Sequence, residues 1–255
     1  MTSGVQPTVG VIIIGDEILK GSVIEANAAF FIERFRAIGA HLREIAVIPD
    51  EPDLIALKVR SFSDSFDYVC TTGGIGPTHD DYTVAAVAQA FGLEMEVRED
   101  LIARMREVVG DAFNEGHRRL AQLPCGARLV SGPGLKWPVL AVNNVFIFPG
   151  VPGMLRTKFA AIESNFQGRP YSWAAVTIRA RETQICAALD LIVEAHPKVN
   201  IGSYPRLEGG EWILRLTVDG FDESAVCQAH ETLQVSFQDS IISIEELSLS
   251  NAASP

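Results

Sequence analysis

The chain has 255 residues, 47% of them hydrophobic, which is enough to bury a full core in one large domain or two smaller ones and excludes general disorder. A formal net charge of −11, with no useful cluster of Lys or Arg, sets nucleic acid aside, because phosphate-backbone binding needs a basic face. No apolar run approaches the roughly 20 residues of a membrane span, and neither a signal peptide nor an anchor is read, so a cytoplasmic protein without a membrane partner is expected.

From Thr8 to Ala90 short β-branched runs alternate with helix-period segments, the pattern of successive βαβ units around a parallel sheet. Strands are predicted at Val9–Ile14, Leu42–Ile48 and Tyr68–Thr72, with helices at Glu25–Ile38 and Pro52–Phe62 between them. Gly39 reads as the glycine that ends the first of these helices. A third helix is expected to open at Asp80 or Asp81 and run to Phe91, with Gly92 after it. Asp100–Gln122 reads as one amphipathic helix, Ala127–Val130 and Val139–Phe148 as strands, Pro149–Pro152 as a turn and Leu155–Phe166 as the helix that completes a first domain.

Gly168-Arg169-Pro170 is a breaker cluster. Beyond it the expected order is strand (Ser172–Ile178), helix (Glu182–Ala195), strands (Val199–Tyr204 and Trp212–Val218) and helix (Glu223–Phe237), a small α+β domain. Boundaries at 1–168, 169–247 and a frayed tail at 248–255 follow. Cys70, Cys125, Cys186 and Cys227 lack CxxC spacing and read as reduced structural thiols. Trp137, Trp173 and Trp212 read as core or domain-interface aromatics, and Arg179–Arg181 and Tyr204-Pro205-Arg206 as surface charge and a turn.

The chemistry concentrates where Thr71-Thr72-Gly73-Gly74-Ile75-Gly76-Pro77-Thr78-His79-Asp80-Asp81-Tyr82-Thr83 follows a buried strand and precedes a helix. Glycines at three of four positions let backbone N–H groups turn toward a ligand, and a helix N-terminus beyond them favours negative charge, so phosphate is the natural guest. Gly15-Asp16-Glu17-Ile18-Leu19-Lys20-Gly21-Ser22 and Asp50 fall at the carboxyl ends of the first two strands, the edge where open α/β sheets bind ligands. Each of Asp16, Asp50 and Asp81 alone reads as a cap or turn residue. As a set on one rim they point to a divalent cation, with Asp80 a further candidate ligand. His79 reads as a helix cap or an acid.

These segments resemble the molybdopterin-binding (MoaB/Mog-like) domain family. The nearest branch holds the amino-terminal domain of competence/damage-inducible protein A (CinA) and the amino-terminal half of FAD synthases. The resemblance rests on Gly15-Asp16-Glu17-Ile18-Leu19 with Gly21, on Asn27, on Gly73-Gly74, Gly76-Pro77-Thr78, Asp80-Asp81 and Thr83, and on Pro149-Gly150-Val151-Pro152. It covers about Val9 to Phe166, and Ile201-Gly202-Ser203-Tyr204-Pro205 extends it toward the FAD synthase branch. The resemblance implies a three-layer, mostly parallel sheet and, for this branch, metal-assisted hydrolysis of a dinucleotide pyrophosphate such as ADP-ribose or FAD. Asp81, Asp50 and Asp16 would be catalytic and Gly73, Gly74, Gly76, Thr78, Thr83, Asn27 and Ser22 would hold phosphate or nucleotide. Asp16, Asp50, Asp80 and Asp81 would hold magnesium, manganese or cobalt, in a dimer or trimer. Molybdopterin binding, adenylyl transfer in molybdenum cofactor synthesis, and a non-catalytic nucleotide-binding module are the alternatives. Asp80 stands where adenylyltransferase relatives carry arginine, and Gly153-Met154 stand where a glutamate usually follows the Pro-Gly-Val-Pro turn. FAD synthesis and nicotinamide-mononucleotide deamidation reside in carboxy-terminal domains that this resemblance does not reach, so neither is expected.

Overall fold

A computed structural model describes residues 6–169 and 171–249. Two compact units emerge: residues 6–35 and 40–167 form one, and 168–249 form the other together with 36–39. No helix among the described residues is long and apolar enough to cross a membrane.

In the first unit β1 (Thr8–Ile14), β2 (His41–Ile48), β3 (Tyr68–Thr72), β6 (Arg128–Val130), β7 (Val139–Val142) and β8 (Val145–Phe148) form one sheet in the order β2-β1-β3-β8-β7-β6. The pairs β1–β2, β1–β3 and β3–β8 are parallel, and β8–β7 and β7–β6 are antiparallel. Alternation along β8 explains why both faces are covered. Val145 and Ile147 join Ile12, Ile14 and the Ile55-Val59-Phe62 stripe of α3 (Pro52–Ser65). Phe146 and Phe148 face the other way, into rings from Phe31 of α2 (Asn27–Ala37), Phe159 of α7 (Pro152–Ile162) and Phe166. The α3 helix starts where it does because Pro52 at its first turn has no N–H to leave unpaired.

Several expected elements differ. The helix expected over Asp100–Gln122 is broken: α5 (Glu99–Val109) stops at Gly110, whose φ is 55°, and α6 (Glu115–Leu120) starts again behind the Asn114 cap. Gln122–Pro124 is strand β5, paired with β4 (Met95–Val97). Val139–Phe148 is a hairpin, reversed at Asn143-Asn144 with Asn143 at φ 51°, a backbone region that Asn tolerates. The helix expected from Asp80 or Asp81 is α4 (Thr83–Phe91), so both aspartates lie in the loop before it, and Gly92 ends it at φ 64°.

The second unit is a four-stranded antiparallel sheet, β10-β11-β9-β12, from β9 (Ser172–Arg179), β10 (Asn200–Glu208), β11 (Glu211–Gly220) and β12 (Ile241–Leu249). Helices α8 (Glu182–Ala195) and α9 (Glu223–Ser236) supply Ile185, Ile192, Val226 and Leu233 to its core. The sequence reading missed β12. Its Ser248 and Leu249 pair with Trp173 and Ser172, so these two are not part of a frayed tail, and the rest of the tail expected over 248–255 lies outside the described residues. All four cysteines are free, and Cys186 is exposed.

Candidate functional site

The four mutually parallel strands end at Ile14, Ile48, Thr72 and Phe148, so the segments after them share one rim, with β1 at the point where strand order reverses. Two contacts close that rim. The Gly15 N–H donates to Ile48 O (3.1 Å), and the Gly73 N–H donates to Phe148 O (3.3 Å). Gly73 sits at φ 101°, and a Cβ there would meet Ile14 O at 2.0 Å, so this position admits no side chain. Its amide is already committed, which removes Gly73 from the expected phosphate donors and makes it the residue that brings the loop down onto the sheet. By contrast the N–H groups of Gly74, Ile75 and Gly76 donate to no protein acceptor among the described residues. These three consecutive donors form the open part of the loop.

Thr83, expected to reach ligand, is buried, and both its groups hold the loop. Its N–H donates to Gly74 O (2.9 Å) and its hydroxyl to Gly73 O (2.8 Å). Asp81 fixes the far end. Its Oδ2 accepts the Thr78 N–H (2.8 Å) and lies where a Cβ on Gly76 would meet it at 2.6 Å. The Thr78 hydroxyl is within reach of Asp80 Oδ1 (2.6 Å) and of Asp81 Oδ2, and can donate its one proton to only one of them at a time. That bond is the chief reason the Asp80 carboxyl lies below its ordinary range. His79 is exposed.

Asp16 and Asp50 cap one another. The Asp16 N–H donates to Asp50 Oδ2 (2.8 Å), and the Asp50 N–H reaches Asp16 Oδ1 at 3.4 Å. Asp16 also accepts from Lys20, which is the main cause of its lowered carboxyl pKa. Asp50 is different. Burial pushes its carboxyl up, the Asp16 N–H pulls it down, and the carboxylates of Glu17, Asp16 and Asp80 push it up further. Asp50 Oδ1 would lie 3.2 Å from a Cβ on Gly74, so this carboxyl borders the first of the open amides.

The expected convergence of three or more aspartates is not what the rim provides. Among the described residues no group of three His, Cys, Asp or Glu side chains is gathered for a metal ion. Asp16 and Asp50 form one pair, Asp80 and Asp81 a second pair around Thr78. This donor set still fits a small hard cation, which commonly binds through one or two carboxylates and fills its shell with water and substrate phosphate.

Asn27 is buried at the start of α2. Its Nδ2 donates to Gly150 O (2.9 Å) and Thr72 Oγ1 (3.3 Å), and Thr72 in turn donates to Pro149 O (3.0 Å), so Asn27 ties three of the rim segments together. Its Oδ1 has no hydrogen-bond partner among the described residues. Ser22 is exposed, and its N–H donates to Glu17 O (2.8 Å) within the turn after α1 (Asp16–Leu19).

Beside the glycine loop opens a cavity of ≈ 780 Å³. Gly73–Pro77, Glu17 and Asp81 line one part of it. Leu101 and Met105 of α5, Leu120 of α6, Leu129, Leu140 and Trp137 form an apolar wall. Trp137, read from sequence as a core or interface aromatic, is thus half-buried in a cavity wall. Lys158 of α7 also lines the cavity, its Nζ donating to Trp137 O and Pro138 O (both 2.8 Å), and burial lowers its pKa. Sequence reasoning missed this wall because it took α5 and α6 for one helix. A signal for Lys158 was present: with Leu155, Phe159 and Ile162 it occupies positions i, i+3, i+4 and i+7, a charge on the buried stripe of a helix.

Comparison with known proteins gives the following. Residues 10–166 match the family described as probable molybdopterin binding domain, and residues 170–246 match the FAD synthase middle domain. A protein of Archaeoglobus fulgidus is 32% identical over 77% of this chain and 85% of its own length. A probable FAD synthase of Caenorhabditis elegans is 30% identical over 84% of this chain, and a CinA-like protein of Citrifermentans bemidjiense 32% identical over 74%. The chain spans about half the length of these last two, 47% and 48%. The solved structure of CinA, of unknown function, from Thermoplasma acidophilum is 33% identical with a TM-score of 0.57, covering 63% of this chain and 98% of that one.

Proposed function

The chain belongs to the family of the probable molybdopterin binding domain, and from that premise we propose that it hydrolyses a nucleotide pyrophosphate of the FAD or ADP-ribose type with a divalent cation. The observation that carries this reading is Asp50: a carboxylate pushed up by burial and three acidic neighbours, beside three open amides. Such an acid gains most from a nearby cation, and perturbed acids of this kind concentrate at functional sites.

In this mechanism the N–H groups of Gly74, Ile75 and Gly76 take the oxygens of one phosphate and stabilise charge that grows on it. Asp50 and Asp80, whose charges act on one another, would hold the cation, magnesium, manganese or cobalt. When bound, that ion lowers the pKa of water enough to supply hydroxide near neutral pH and offsets charge on the leaving phosphate. Asp16 positions Asp50 through its N–H, Lys20 keeps Asp16 ionised, and Asp81 and Thr83 keep the loop in shape. Water oxygen bonds to phosphorus, the bridging P–O bond breaks, and the products are AMP and the phosphate of the other half.

Incubating the protein separately with FAD, ADP-ribose and ATP, with and without each metal, tests this directly. AMP from FAD or ADP-ribose only in the presence of metal is the expected result. A second reading is a nucleotide- or pterin-binding module without turnover, and its motivation is that among the described residues no three ligand side chains are gathered. Binding without product under every metal would select it.

A further inference from the structure

We propose that the apolar cavity beside the glycine loop seats the ring half of the ligand, a flavin isoalloxazine, and that Lys158 binds a carbonyl oxygen of that ring. The inference rests on the loop being the phosphate cradle. Because Gly74, Ile75 and Gly76, whose amides form that cradle, also line the cavity, a ligand phosphate held at the open amides leaves the rest of the molecule within reach of it.

The lining selects what can follow. A ribose placed against Leu101, Met105, Leu129 and Leu140 would lose water from its hydroxyls and find no replacement among those four side chains, so sugar hydroxyls belong at the Glu17 and Asp81 part of the lining. The apolar benzenoid edge of a flat tricyclic ring needs no polar partner there and can lie against Trp137, and ≈ 780 Å³ is within the usual size of such pockets. Lys158 adds the polar anchor. Two of its three N–H groups are used by Trp137 O and Pro138 O, no carboxylate pairs with it among the described ion pairs, and one N–H is left for the cavity it lines. An ammonium so placed favours a carbonyl acceptor and disfavours an exocyclic amine, which fits the dione edge of a flavin better than the amino edge of adenine. A pterin offers the same carbonyl but lacks the third ring, leaving apolar wall uncovered.

Riboflavin, which carries no phosphate, isolates this site. Titrated into metal-free protein and followed by flavin and tryptophan fluorescence, it is expected to bind at least tenfold more tightly than a simple pterin. Lys158→Met should shift the ratio of riboflavin to ADP-ribose affinity by about tenfold against riboflavin, the scale of one hydrogen bond from a charged donor. Leu120→Trp, which adds bulk at the cavity lining and leaves the Lys158 bonds in place, should weaken riboflavin similarly, and decides the matter if Lys158→Met does not fold. No riboflavin binding, equal or tighter pterin binding, or unchanged riboflavin binding in the folded variants would each overturn the assignment. Riboflavin binding without FAD or ADP-ribose hydrolysis would instead count against the hydrolase reading alone, and ADP-ribose hydrolysis without riboflavin binding against the flavin site alone.

Discussion

The two sheets answer the same problem, how to join strands, with opposite consequences for chemistry. In the first unit four mutually parallel strands deliver Asp16, Asp50, the Gly73 loop and Gly150 to one rim from positions scattered over the chain. In the second, antiparallel order sends successive strand ends to opposite edges, and β10 turns directly into β11 through Gly209-Gly210. Glycine shows the difference best. Gly209, at φ 58°, has nothing within 4 Å of where a Cβ would stand, so it meets only a backbone demand. Gly73, also at positive φ, would drive a Cβ into Ile14 O at 2.0 Å, so it meets a backbone demand and a packing demand together. Parallel order brings the loops after successive strands to one rim, and at Gly73 seating such a loop needs close backbone approach.

The largest expected effect separates those two glycines. Gly209→Ala carries only the cost of a left-handed alanine, roughly 1 kcal/mol. Gly73→Ala adds a collision with backbone that cannot rotate away, and should cost roughly 3 kcal/mol or more and abolish ligand binding. Urea unfolding of both variants measures the gap, and equal costs would break the comparison.

Next in size is an effect on rate without one on stability. Asp50→Asn keeps an acceptor for the Asp16 N–H but removes the charge, so hydrolysis should fall by about 10²–10³-fold while the thermal midpoint holds or rises. The pH dependence has a definite sign. The folded pKa of Asp50 lies above its ordinary 3.8, so the group favours folding most below that value, and the advantage is lost as pH rises through the raised folded value. In metal-free protein the wild type should therefore lose stability relative to Asp50→Asn as pH climbs from 3 toward neutrality. A wild type that gains on the variant over that range would show that Asp50 is held by a favourable partner.

How much of this could be read without coordinates follows from the range of the forces involved. Val9–Ile14 and Tyr68–Thr72 were legible because a buried parallel strand is a short unbroken apolar run, and the rim aspartates because they follow such runs. Asp100–Gln122 misread because its apolar period continues across Gly110, and a single glycine in a helical pattern is weak evidence of a stop. Ile241–Leu249 was missed because Glu245 and Glu246 interrupt its apolar face, and Glu245 is stabilised chiefly by Arg215, a distant residue in sequence. The commitment of the Gly73 amide to Phe148 O, and the turning of Thr83 to the loop instead of the ligand, are likewise long-range or three-dimensional facts. Residue type identified the loop, but which of its donors stay open depends on what else is near.

That Arg215–Glu245 pair gives the smallest effect and the cleanest control. Arg215 Nε and Nη2 donate to the two Glu245 oxygens at 2.7 and 2.9 Å, joining β11 to β12 across β9. Side chains 34% and 40% exposed are screened by water, so Glu245→Gln should cost only about 0.5–1 kcal/mol at neutral pH, and less at high salt. Arg215 is the chief cause of the lowered Glu245 pKa, so this stability is present above the ordinary value of 4.5 and is lost as pH falls through the folded value. The pH trend is opposite to that of Asp50. Turnover should not change, because every group given a chemical role lies in the first unit; a Glu245→Gln protein of full stability but reduced rate would mean that the antiparallel sheet also contributes to catalysis, and the contrast between the two sheets would no longer hold.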